Sequence, residues 1–138
     1  MNSLSDFLQA ICNELKSNSG VQNAHFITKY PGAFKSSPLT RNVVSVGINS
    51  VEMTDSQIGG KYDKKATVQI EVLVCVPLLL ESIECLSIMQ MLIEYMWFDS
   101  SLIVKQCNFG GIKVNRETGA YELCGMVSID TNITKAVS

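Results

Sequence analysis

Residues 68–76 read VQIEVLVCV. In an extended strand the alternation puts Val68, Ile70, Val72, Val74 and Val76 on one face and Gln69, Glu71, Leu73 and Cys75 on the other. The first row is core. The second begins polar and ends apolar, so its face is neither plainly wet nor plainly dry. What that face touches decides whether the strand serves the fold alone or also an assembly.

Working outward, Pro77 closes the strand, because a proline has no N–H to donate to a sheet ladder. The stretch LLLESIECLSIMQMLIEYMWFD follows, and Leu79, Ile83, Leu86, Ile93 and Met96 form one apolar row of a main helix of roughly 18 residues. Ile88, Met89, Met91, Leu92, Tyr95 and Trp97 spread apolar character around the rest of the circumference. A helix apolar nearly all round calls for two partners.

Upstream, Val43 to Met53 and Tyr62 to Val76 read as an antiparallel hairpin around TDSQIGGK, whose Gly59-Gly60 pair takes turn conformations without steric cost. Leu4, Phe7, Leu8, Ile11, Cys12 and Leu15 carry helical spacing, with Ser3 and Asp6 in a capping-box relation. A short extended piece, AHFITKY, separates that helix from the loop FKSSPLTRN. Downstream, LIVKQCNFGGIKVNRETGAYELCGMVSID reads as two extended runs around NRETGA, with Gly110-Gly111 suggesting a bulge in the first. The expected fold is α+β, an antiparallel sheet with two helices packed on one face, in a single domain over residues 1–138. The other face of that sheet would lack an internal cover.

Composition narrows the function. Apolar residues make up 46% of the 138 and charged residues 17%, below the roughly 25% of an average soluble domain, so more surface than usual is apolar. A net charge of −2, with no basic run longer than Lys64-Lys65, argues against sequence-specific nucleic-acid binding. The start has no basic, apolar leader pattern, and the apolar run from Val72 to Leu80 is too short to span a bilayer, so no membrane partner is expected. Cys12, Cys75, Cys85, Cys107 and Cys124 are widely spaced, with no CxxC, and read as buried thiols of a reducing cytoplasm.

Chemistry is sparse. His25 is the only histidine and stands on a short extended segment, more in keeping with a surface or packing residue than with a general base. Glu71, Glu81, Glu84 and Glu94 form no metal-ligand spacing with it, and neither glycine pair sits between a strand and a helix N-terminus as phosphate binding requires. No cofactor, metal or catalytic residue is expected, and the chain reads as a non-enzyme. The mixed outer row and the over-apolar helix point instead to self-association, with Leu73 and Cys75 meeting a neighbour, Glu71 at the rim, and Met91 and Tyr95 on the helix flank. Cover of Leu73 by the chain's own terminal hairpin is the alternative.

The element order, the long hairpin with a polar tip, the helix introduced by a strand ending in proline, and the closing hairpin GGIKVNRETGAYELCGMVSID resemble the phage tail terminator, or tail completion, proteins. The resemblance spans Leu4 to about Ile133 and rests on layout, with no diagnostic motif. It implies a hexameric ring that caps a finished tail tube, ends its polymerisation and offers an attachment surface to a head or, in phage-tail-like particles, a collar. Partners would be further copies of the chain, the tube, the sheath protein of a contractile tail, and the head or collar connector. Such a protein would be made in the host cytoplasm and end in the virion or tail-like particle. On this resemblance the hairpin tip, with Thr54, Asp55, Gln57, Lys61, Lys64 and Lys65, is the candidate for docking on the tube. Another neck or head-completion protein shares the same layout. A hot-dog-like thioesterase or small-molecule binder is a more distant alternative.

Overall fold

The computed structural model describes residues 4–28, 40–54 and 63–134. Its elements, in chain order, are α1 (Leu4–Asn18), β1 (Ala24–Ile27), β2 (Asn42–Thr54), β3 (Asp63–Pro77), α2 (Ile83–Glu94), a π-helical turn (Tyr95–Asp99), β4 (Ile103–Phe109), β5 (Lys113–Asn115) and β6 (Ala120–Thr134). The fold is α+β: two helices over a six-stranded, mostly antiparallel sheet. The strand order is β1-β2-β3-β6-β4, with β5 also pairing β6, and β1 is the one parallel neighbour, against β2.

The sheet is built on β3 and β6. They run antiparallel from Asp63 opposite Thr134 to Pro77 opposite Ala120, so the closing hairpin lays its last strand along the full length of β3. One face carries Val44 and Val46 of β2, Val68 to Val76 in alternation on β3, and Leu123, Val127 and Ile129 of β6. All are buried beneath Ile11, Cys12 and Leu15 of α1 and Cys85, Ile88, Met89, Leu92 and Met96 of α2. An uninterrupted Val/Ile surface of this kind is what a pair of helices covers best, and its burial is the main favourable term in folding.

The even row of β3 thus behaves as expected. Its odd row has a divided answer. At the Pro77 end Leu73 and Cys75 join Val43 and Ala120 in a second, smaller apolar cluster, with Ile27 and Cys124 packed against it. Toward the other end the row turns polar: Gln69 accepts a bond from Asn49 Nδ2, and Thr67 Oγ1 donates to Asp130 Oδ1 at 2.8 Å. The odd row of β3 is therefore apolar and buried at one end and polar at the other.

Several details depart from the sequence reading. The main helix starts at Ile83, not at Leu79; Leu80 N–H bonds to Pro77 C=O at 2.9 Å and Leu78 N–H to Gly119 C=O at 3.0 Å, which holds the three leucines in a turn ahead of the helix. The core-facing row is not Leu79, Ile83 and Leu86; it is Cys85, Ile88, Met89 and Leu92, with Met96 in common and Ile93 half-buried against the core. Small groups decide this. Cys85 lets the helix lie close over β3 and β6, its thiol 3.6 Å from Tyr121 C=O, and a Cβ on Gly125 would stand 3.1 Å from the Met89 side chain. Gly110-Gly111 is not a bulge within one strand but the break between β4 and β5, while the register shifts fall at Asn49 in β2 and Lys105 in β4. The turn before β6 is held by Asn115 Oδ1, which accepts from Glu117 N–H at 3.0 Å and Thr118 N–H at 3.3 Å, and Gly119 completes it at φ 64°.

Candidate functional site

The outer face of the sheet holds a cleft of about 330 Å³. Glu71 and Leu73 reach it from β3, Glu122 and Cys124 from β6, and Lys113 from β5, while Gly110 and Gly111 form its lip. The register explains the gathering: Leu73 lies opposite Cys124, and Lys113 opposite Glu122. Gly110 N–H bonds to Cys124 C=O at 3.3 Å, and a side chain on either glycine would meet nothing within 4 Å, so the lip is open.

Its electrostatics do not favour covalent chemistry. Burial, reinforced by the Glu71 carboxylate, raises the Cys124 thiol above its ordinary value, so it stays protonated and weakly nucleophilic at neutral pH. Cys75, beneath the same face, is pushed up to about 12, by burial first and the charge of Glu122 second. Glu122 Oε2 is engaged by Asn115 Nδ2 at 3.1 Å and stands 4.0 Å from the Cys75 sulfur. Among the described residues no group of three or more His, Cys, Asp or Glu is placed to hold a metal ion. His25 is exposed on β1, with β2 standing between it and β3.

The residues singled out for subunit contact scatter. Leu73 is 4% exposed and Cys75 1%, so both are buried within the chain, Leu73 among the residues that line the cleft. Val43 of β2, opposite Cys75, and Ala120 of β6, opposite Pro77, stand beside them on the same face of the sheet. Tyr95 is also buried, and its hydroxyl donates to Glu14 Oε1 of α1, which holds its pKa above the ordinary value. Glu71 is half-buried in the cleft, and Met91 is exposed. Of the docking-tip residues, Asp55, Gln57 and Lys61 lie outside the described residues. Thr54 ends β2, and Lys64 and Lys65 are within β3, paired with Ile133 and Asn132.

The accessible apolar surface lies elsewhere. Along the β4–β5 edge Ile103, Phe109, Ile112 and Val114 are exposed, Ile103 in register with the outer face of the sheet and Phe109 and Val114 with the inner. A second group lies on α2 and the turns that flank it, with Ile83 and Leu86 exposed on the helix, Leu79 in the turn before it and Trp97 and Phe98 in the π-helical turn after it. The second patch was available to sequence reasoning as the 3-4-3-4 spacing of Ile83, Leu86, Gln90, Ile93 and Trp97. The first carried no signal beyond a strand alternation broken by Gly110-Gly111. No helix among the described residues is long and apolar enough to cross a membrane. No protein-family model matches the chain, and no curated protein matches its sequence.

Proposed function

We propose that this chain is a structural protein that assembles through subunit contacts into a ring closing the end of a phage or phage-tail-like tube, as its resemblance to tail terminators suggests. The observation that carries this reading is the pair of unlike sheet edges. A ring needs two different patches on opposite sides of each subunit, so that one meets the other on the next copy. Among the described residues the sheet ends at β1 on one side and at β4 and β5 on the other; the large apolar side chains of the first edge, Phe26 and Ile27, are half-buried, and those of the second are exposed. Exposed backbone at such edges, with Ile103, Phe109, Ile112 and Val114 beside it, is a natural contact surface.

The reading assigns no chemistry to the cleft, and it places assembly in the host cytoplasm before incorporation into the particle. Electron microscopy of negatively stained protein, alone at high concentration and mixed with tail tubes of its own particle, tests it. Rings or density on tube ends are expected from the native chain, and their loss in Phe109→Glu with Val114→Glu. Tubes left bare by a well-folded native chain would overturn the proposal.

A further inference from the structure

We infer that the cleft on the outer face of the sheet binds a short zwitterion, an ω-amino acid or a dipeptide, whose ammonium group pairs with Glu71 and whose carboxylate pairs with Lys113. This goes beyond the ring reading, since it gives the cleft a ligand and needs no second copy of the chain, and neither proposal depends on the other.

Shape favours a small ligand. At about 330 Å³ the cleft falls within the roughly 300 to 1,000 Å³ of small-molecule sites, which join apolar walls to a few polar groups. Leu73 and Cys124, opposite each other on β3 and β6, form its floor. The opening comes from the break between β4 and β5. Pairing on that side of β6 stops with Phe109 opposite Gly125 and resumes with Lys113 opposite Glu122, so Leu123 and Cys124 have no ladder partner there beyond the single bond from Gly110 N–H. Neither glycine of the lip carries a side chain to close the space.

Charge favours a ligand of both signs. Among the described residues neither Glu71 nor Lys113 is in an ion pair. The half-buried Glu71 carboxylate accepts from the Cys124 thiol, a weak donor that leaves most of its hydrogen-bonding capacity open. Lys113 stands opposite Glu122, whose Oε2 accepts from Asn115 Nδ2 at 3.1 Å instead. Both charges are felt on the floor: burial first and Glu71 next raise the Cys124 thiol, and Lys113 acts against them. A lone cation would leave Lys113 unmatched, and a lone anion would leave Glu71 facing it.

Spacing selects the length. In register Glu71 and Lys113 lie four residues apart along the strands and two strands apart across them, about 13 Å by about 10 Å between backbones. Even with both side chains reaching inward, an α-amino acid, whose two charged groups share one carbon, is too short to meet both. A dipeptide at about 3.5 Å per residue sets its charges about 7 Å apart, and an ω-amino acid of similar length does the same.

Isothermal titration calorimetry of the full chain with ε-aminocaproate and with the dipeptide Ala-Leu, at low and moderate salt, tests this. Saturable binding of both is expected, weaker at the higher salt. Glycine, which is too short, caproate, which lacks the ammonium, and pentylamine, which lacks the carboxylate, should each bind at least about tenfold more weakly. Glu71→Gln and Lys113→Gln are each expected to weaken ε-aminocaproate binding by about tenfold or more at an unchanged melting temperature. A native chain that binds neither zwitterion overturns the inference, as does binding that survives both substitutions, which would place the ligand elsewhere. So does pentylamine that binds as tightly as ε-aminocaproate, which would make the cleft a site for cations alone.

Discussion

β3 and α2 are each apolar on two sides, yet the chain covers both sides of β3 and only one side of α2. On β3 the even row lies under the helices and the end of the odd row lies in the Val43–Ala120 cluster. On α2 the row Cys85, Ile88, Met89 and Leu92 is buried, while Ile83 and Leu86 face outward. Equal hydrophobicity thus leads to opposite roles. A charge placed on either side of β3 strikes the fold, whereas a charge on the outward side of α2 strikes only what the protein associates with.

The sharpest way to break this distinction is to put one glutamate at each place. Leu73→Glu is expected to cost about 4 kcal/mol or more in urea unfolding, because it buries a third carboxylate beside those of Glu71 and Glu122; Leu86→Glu, under monomeric conditions, should stay within about 0.5 kcal/mol of the native chain. Equal losses would mean that α2 has a covered outer side after all. The two methionines give the same contrast within the helix. Met89→Ala should cost about 3 kcal/mol, since the side chain fills the space over Gly125, and Met91→Ala less than about 1 kcal/mol.

Ionisation extends the comparison to both faces of β3 at once. Cys75 beneath the outer face is held up to about 12 and Cys85 above the inner face to about 11, burial being the first cause for each. Unfolded thiols lose their protons near pH 9, so above that value the unfolded chain binds fewer protons than the folded one and stability falls as pH rises, until the folded thiols ionise. Denaturant titrations at pH 8 and pH 11 should differ by on the order of 2 kcal/mol, and Cys75→Ala should flatten the difference measurably. A further effect is expected at the tie between the helices: Tyr95→Phe removes the bond to Glu14 and should cost about 1 kcal/mol, read as a lower melting temperature.

The same contrast explains what the residues disclosed in advance. The alternation of VQIEVLVCV, the two amphipathic helices and the turn at NRETGA specify local structure through short-range geometry, and the layered α+β architecture follows from them. The side of α2 that faces the sheet was not legible, because apolar residues lie all round it and the choice rests on two small groups, Cys85 and Gly125, that matter only once helix and strands are in contact. The fate of Leu73 was equally hidden. Its cluster neighbours Val43 and Ala120 are respectively 30 and 47 positions away, and no local pattern announces that meeting. The cleft of Glu71, Lys113 and Glu122 likewise exists only through strand pairing across β3, β6 and β5.

The five free cysteines have a practical consequence. Cys12 lies on the buried side of α1, Cys85 on the buried side of α2 and Cys75 within the outer cluster, while Cys107 and Cys124 are partly accessible. Because a buried thiol reacts only when its surroundings open, the native chain carries separate reporters for the detachment of each helix and for the breach of the outer cluster. Timed alkylation followed by peptide mass analysis would rank those three openings without a single substitution, and would show which part of the molecule gives way first.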